Sequence, residues 1–177
     1  MKLKRETNET CVEVELDIGT GVAKVSTGVP FLDHMMTTFA RYSGLDVDIA
    51  AEGDLKHHLI EDVAISMASA FANLLPAKCA RYGSSVVVMD DALVEAALDA
   101  GGRSYYRGPI PSRLYDHWMR SFAINAGLTL HIRVLRGTDR HHIVEAAFKA
   151  LGLVLRQALV EGDAVFSTKG SITVSRT

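Results

Sequence analysis

The chain repeats itself, and a repeat of this length restricts what it can fold into. Asp33-His34-Met35-Met36-Thr37-Thr38-Phe39-Ala40 lies over Asp116-His117-Trp118-Met119-Arg120-Ser121-Phe122-Ala123, and the match continues into Gly44-Leu45 and Gly127-Leu128. Farther on, His57-His58-Leu59-Ile60-Glu61 matches His141-His142-Ile143-Val144-Glu145. The spacing from glycine to first histidine differs by one residue between the halves. Matches at two places in the same order point to duplication, residues 1–83 against residues 84–177.

Local patterning supports two copies. Val12, Val14 and Leu16 alternate with Glu13 and Glu15, the signature of a half-buried strand. Asp17-Ile18-Gly19-Thr20-Gly21 then turns the chain into a short partner strand at 22–26. Leu32, Met35, Met36 and Phe39 predict a helix from about residue 31. Val47, Ile49 and Ala51 predict a strand, and Ile60, Val63, Ala64, Met67, Ala70, Phe71 and Leu74 a helix over 57–75. The second half repeats the order: strands at 85–89 and 93–98, a helix over 114–124, a strand over 128–135 and a helix over 141–159. Each half reads β-β-α-β-α, and neither covers both faces of its helices alone. The expected fold is α+β: two repeats in one compact domain, with four helices packed between two four-stranded sheets.

Composition narrows the function. With 177 residues, 48% apolar and 23% charged, the chain can bury a sizeable core. A net charge of -2 argues against nucleic acid as a partner, and no apolar run approaches a membrane span. The first residues form no apolar signal segment. Cys11 and Cys79 are the only cysteines, too few for a disulfide framework. The expectation is a soluble, cytoplasmic protein.

The 7 histidines carry the chemistry. Residues four apart share one helical face, so His57 converges with Glu61 and His141 with Glu145. Adjacent residues differ by about 100° around the axis, so His58 and His142 point away from their neighbours. Two such segments, brought together by duplication or across subunits, build two metal sites. Each helix gives its His/Glu pair to one ion and its other histidine to the second. His34, His117 and His131 remain as further donors. Imidazole with carboxylate suits Mn, Fe, Zn or Ni better than Ca or Mg. No thiolate is placed for a closed zinc site, so an open, catalytic site is expected. The residues alone leave two rivals: a dinuclear hydrolase, and a metal-storage protein with a metal-assembled shell.

At these residues the chain resembles the imidazoleglycerol-phosphate dehydratase family of histidine biosynthesis. The likeness is carried by Arg5-Glu6-Thr7-x-Glu9-Thr10, Phe31-Leu32-Asp33-His34-Met35, His57-His58-x-x-Glu61-Asp62, Arg81-Tyr82-Gly83 and Asp99-x-Gly101-Gly102-Arg103-x-Tyr105. It continues through Asn125-Ala126-Gly127-Leu128-Thr129-Leu130-His131-Ile132, His141-His142-Ile143-Val144-Glu145-Ala146-x-Phe148-Lys149-Ala150 and Ser167-Thr168-Lys169-Gly170. The resemblance implies a lyase that converts imidazole glycerol phosphate to imidazole acetol phosphate and water, with two manganese ions per active site. By position, one ion would take His34, His58, His141 and Glu145; the other would take His57, Glu61, His131 and His142. Internal symmetry would instead have paired His117 with His34, and the resemblance leaves His117 a structural or supporting role.

The chemistry expected from that resemblance starts at the imidazole ring. No carbonyl activates the C–H bond that must break, so the ring is the electron reservoir. Cations at its nitrogens favour the imidazolate. Loss of the hydroxyl next to the ring then gives a diazafulvene, whose neighbouring C–H is acidic. The resemblance places Arg81, Arg103, Lys149, Ser167, Thr168 and Lys169 around the phosphate, as guanidinium forks and hydroxyls suit phosphate oxygens. It makes Glu9 a substrate-contacting carboxylate; Asp33 and Asp62 are candidates to orient metal-bound histidines, with Asp33 equally a candidate helix-start residue. It also implies a homo-oligomer of about 24 subunits with sites at interfaces. The sequence departs from the family where Lys56 stands for a usual acid and Leu59 for a usual Thr.

Overall fold

The computed structural model describes residues 1–162. Alternating burial along β2 (Thr10–Ile18) and β4 (Leu45–Gly53) sends Val12, Val14, Leu16, Leu45, Val47 and Ile49 to one face of a sheet. With β1 (Lys2–Glu6) and β3 (Ala23–Ser26) they form a four-stranded sheet of order β1-β2-β4-β3. Helices α1 (Pro30–Ser43) and α2 (Lys56–Leu74) complete the first half. The second half follows the same plan: β5 (Tyr82–Met89), β6 (Ala92–Asp99), β7 (Tyr105–Arg107), α3 (Arg113–Asn125), β8 (Thr129–Arg136) and α4 (Arg140–Ala158). Its sheet order, β5-β6-β8-β7, repeats that of the first.

The duplicated α+β architecture is as expected, and each half carries one strand more than the pattern displayed. The additional strands are the charged edge strand β1 and the three-residue β7. The strand after the Gly19-Thr20-Gly21 turn also lies elsewhere than beside β2. It runs parallel to β4 on that strand's far edge. Asp46 is the physical reason: its Oδ1 accepts from the backbone N–H groups of Thr20, Gly21 and Val22 at 3.0, 3.0 and 2.8 Å. These bonds draw the turn across the end of β4, and Gly21 supplies the positive φ of 86°.

The helices pair across the repeat. α1 packs on α4 and α2 on α3, so each helix seam joins the two halves. All four helices send aromatic side chains to one point: Phe39, Phe71, Trp118, Phe122 and Phe148 are buried there. Trp118 stacks on Phe122 at 5.2 Å and meets Phe148 at 4.7 Å. Such rings contribute the largest share of buried apolar area per residue in a core like this. Among the described residues, no helix is long and apolar enough to cross a membrane.

Candidate metal centre

Each His-His-x-x-Glu segment opens a helix at one of these seams. On α4, Asp139 caps the start, its Oδ1 accepting from the N–H groups of His141 at 2.7 Å and His142 at 3.4 Å. The i, i+4 relation then stacks His141 over Glu145, with Nε2 3.2 Å from Oε2. Helix α1 brings His34 from the opposite side of the seam, 3.3 Å from the same oxygen. The three donor atoms lie within 4.8 Å of one another.

The α2–α3 seam repeats this arrangement. His57 Nε2 is 3.8 Å from Glu61 Oε2, and His117 on α3 places Nε2 3.1 Å from Glu61 Oε1. The His57 and His117 rings are stacked at 5.1 Å. This trio too has its donors within 4.8 Å. Each cluster therefore offers two imidazole nitrogens and one carboxylate oxygen, a set that suits a divalent transition metal and leaves coordination positions open. The residue before each partner histidine fixes the chain entering its helix. Asp33 accepts from Thr27 N and Oγ1 at 3.0 and 2.5 Å. Asp116 accepts from Tyr106 Oη at 2.7 Å and Ile110 N at 3.0 Å.

The surroundings of the two clusters differ. Phe31 flanks the first, its ring 5.0 Å from that of His141. Lys149, two turns along α4, donates to Glu145 Oε1 at 2.9 Å. Burial opposes ionisation of Glu145, but the bonds from Lys149 and His34 outweigh it and hold its pKa below the usual carboxylate value. The second cluster borders a cavity of about 600 Å³ lined by His57, Arg113, Leu114, Asp116, His117 and Arg120.

The remaining histidine of each pair points away, as the helical geometry predicts. His58 Nδ1 is 2.9 Å from Asp54 Oδ1 and 3.4 Å from Glu9 Oε2. His142 Nδ1 is 2.8 Å from Asp91 Oδ1, and its Nε2 is 3.4 Å from Asp90 Oδ2. The bonds from Asp54 and Asp91 raise the pKa values of His58 and His142 respectively. Asp91 is held ionised by backbone bonds from Thr138 and Asp139 as well as by His142. Asp54, two residues before Lys56, is the carboxylate bonded to His58.

Other predicted site residues are spread over the molecule. His131 lies on the outward face of β8, between buried Leu130 and Ile132, with Tyr105 5.5 Å away. It is paired in register with Ala97. Asp91 and His142 stand at the Ala92 end of the neighbouring β6, so His131 and His142 are roughly 17 Å apart along the strand at about 3.4 Å per residue. Arg81 and Arg103 lie farther still, where Asp99 ends β6. Arg81 forms a two-bond fork with Asp99 at 2.6 and 2.9 Å, and Arg103 approaches the same carboxylate at 3.9 Å. Asp62 is bound by Arg5 at 3.1 Å and by Thr10 Oγ1; among the described residues neither it nor Asp33 has a hydrogen bond or ion pair to a histidine, although the charge of Asp62 helps to raise the pKa of His58. Ser167, Thr168 and Lys169 lie outside the described residues. Sequence reasoning gave no role to Asp54, Asp90, Asp91 or Arg113. Asp91 was open to discovery through the repeat, because it precedes β6 as Glu9 precedes β2.

A duplicated α+β fold with matched imidazole–carboxylate clusters at its helix seams offers two candidate metal sites. The family model described as imidazoleglycerol-phosphate dehydratase matches residues 27–155. The imidazoleglycerol-phosphate dehydratase of Pyrobaculum calidifontis is 47% identical over 186 residues, covering 96% of this chain and 98% of that protein. The Methanosarcina barkeri enzyme of the same name is 40% identical over 188 residues, covering 97% and 98%. The crystal structure of the Pyrococcus furiosus protein in complex with (S)-C348 superposes with a TM-score of 0.86 at 38% identity, covering 96% of this chain and 100% of that one. The Staphylococcus aureus structure gives 0.79 at 29% identity, covering 92% and 99%. The chain belongs to the imidazoleglycerol-phosphate dehydratase family. It is a carbon–oxygen lyase of histidine biosynthesis that acts on a small phosphorylated substrate.

Proposed function

We propose that this chain dehydrates imidazole glycerol phosphate to imidazole acetol phosphate at a centre holding two Mn²⁺ ions, completed between copies of the chain. The observation that carries this reading is the matched pair of clusters, each with two imidazole nitrogens and a carboxylate oxygen within 4.8 Å. His34, His141 and Glu145 would hold one ion, with His58 as fourth donor. His57 and Glu61 would hold the other, with His131 and His142. When bound, the ions would supply Lewis acidity that favours the imidazolate form of the substrate ring and its passage to a diazafulvene.

The chain's own groups do the rest. Asp54 and Asp91 each occupy Nδ1 of a histidine and so leave its Nε2 as the nitrogen that would bind an ion, with Asp90 Oδ2 3.4 Å from that of His142. Glu9, beside His58, is the carboxylate positioned to contact the substrate hydroxyls or move a proton. Arg81, Arg103, Lys149, Ser167, Thr168 and Lys169 are read as the phosphate contacts. Arg81 and Arg103 already share Asp99, and a phosphate would compete with that carboxylate for the same guanidinium forks.

The separation of His131 and Arg81 from His142 along β6 favours sites built from more than one copy. So do Val86 and Val88, 57% and 70% exposed on the edge strand β5, because an uncovered apolar edge strand invites pairing. A homo-oligomer of about 24 subunits in the cytoplasm completes the reading, with residues 1–83 and 84–177 as halves of one folding unit. His142→Ala should lose one of two Mn²⁺ per chain and abolish turnover, measured by metal analysis and product absorbance. Full activity in that variant would sink the two-ion assignment.

A further inference from the structure

We propose that Thr7, Thr10 and Asp62 are positioning residues for Glu9, joined in one hydrogen-bonded network that presents its carboxylate. The inference rests on the reading of Glu9 as the group that contacts the substrate.

The Glu9 side chain is 57% exposed, with His58 3.4 Å away as its ion-pair partner among the described residues. Side-chain packing does not place it, so its backbone must. Thr7 Oγ1 accepts from the N–H groups of Glu9 at 3.1 Å and Thr10 at 3.0 Å. Thr7 N donates to Thr10 O at 2.9 Å, and Asp54 N donates to Glu9 O at 3.0 Å. A threonine hydroxyl that caps a turn in this way fixes the backbone of the residues it spans. The turn sets Glu9 on the wall of a cavity of about 460 Å³, beside Glu6, Glu52 and Asp54. Such an acidic wall suits hydroxyl groups and repels a phosphate.

Counting protons assigns the direction of the network. Thr10 Oγ1 donates to Asp62 Oδ2 and so spends its one hydrogen. In the 3.1 Å contact between the two hydroxyls Thr7 is then the donor, with Thr10 O a longer alternative at 3.4 Å. The bonds run in one sense, from Glu9 N–H to Thr7, to Thr10, to Asp62, and each strengthens the next. Arg5 Nη2, 3.1 Å from Asp62 Oδ1, closes the far end. Thr10 and Asp62 are buried, where a carboxylate must be paired to be tolerated. A network that only fastened β1 and β2 to α2 would have no need of Thr7, which is exposed, or of its two bonds into the turn.

The test is a double-mutant cycle on Mn²⁺-loaded enzyme. Bound Mn²⁺, unfolding temperature, and kcat and KM for imidazole glycerol phosphate are measured. The proteins are the wild type, Thr7→Val, Thr7→Ser, Asp62→Asn, Glu9→Gln and the double variant Thr7→Val/Glu9→Gln. Thr7→Val should lower kcat by about tenfold to a hundredfold, the cost of a misplaced group. It should keep its Mn²⁺ and its unfolding temperature. Thr7→Ser, which retains the hydroxyl, should match the wild type, and Asp62→Asn should share the loss in kcat. In the Glu9→Gln background, Thr7→Val should cost nothing further, because Thr7 acts through Glu9. Wild-type kcat in Thr7→Val would overturn the proposal, and so would losses that multiply in the double variant. Loss of Mn²⁺ in Asp62→Asn would overturn the role given to Asp62, making it a support of the metal ligands. Wild-type turnover in Glu9→Gln would overturn the reading of Glu9 instead.

Discussion

Asp91 and His142 illustrate how one pair of residues makes the stability of the fold respond to pH. Asp91 is ionised well below the usual range because backbone N–H groups and His142 bond to it, and His142 is raised above 6.5 in return. A raised histidine contributes stability that is fully present below its unfolded pKa and is lost as pH climbs through the folded one. The depressed aspartate contributes above its unfolded pKa. In metal-free protein, the stability lost on Asp91→Asn should therefore be largest between about pH 4 and 6.5 and shrink above. Urea denaturation across that range checks it, and a gap that widens above pH 7 would contradict it. Titration by NMR should also show His142 falling towards 6.5 in the variant. The i, i+4 His/Glu pairs were legible in the sequence because helix periodicity alone aligns them. Asp91 was not, since its contact depends on where the β5–β6 turn sits relative to α4. His117 was legible by symmetry as the counterpart of His34, and the α2–α3 seam sets it beside Glu61.

The helices were readable to within a residue or two at their starts, because apolar spacing sets the buried face and the glycines after α1 and α3 mark the exits. The strands were less so. β1 presents Lys2, Lys4 and Glu6 outward and leaves only Leu3 and Arg5 half-buried, so its alternation is faint. β3 was misplaced because Asp46, a distant residue, directs the turn. Helix seams matter for the site because each cluster spans one. At Gly152 an added Cβ would lie 2.7 Å from Tyr42 Cβ and 2.9 Å from Ser43 N. Gly152→Ala should thus push α1 from α4 and cost about 1–3 kcal/mol by overpacking. It should weaken Mn²⁺ at the His34 cluster and leave the His57 cluster near wild type. Equal weakening at both clusters would mean that the seams are not independent. Trp118→Ala, which empties the point where the four helices meet, should cost about 3–5 kcal/mol in denaturant unfolding.

Across the whole molecule, duplication followed by divergence organises both fold and function. Two copies of one topology face each other through their helices and create two seams, and each seam holds a cluster. Among the described residues, His142 stands at the Ala92 end of β6, Arg81 and Arg103 at its Asp99 end and His131 on an outward sheet face, so the proposed site would draw on neighbouring copies. Removing metal should then loosen the assembly: light scattering after chelation should give a smaller particle, and Mn²⁺ should restore the larger one. A mass unaffected by chelation would remove the metal from assembly. Sequence could indicate the duplication, but which surfaces stay exposed depends on register and sheet order. Whether the paired clusters run the dehydration is read from turnover of imidazole glycerol phosphate by metal-stripped protein, before and after Mn²⁺ is returned. We expect the enolate absorbance of imidazole acetol phosphate only after the metal is restored. Full turnover without metal, or two bound Mn²⁺ per chain with no product, would contradict a metal-dependent dehydratase built on these clusters.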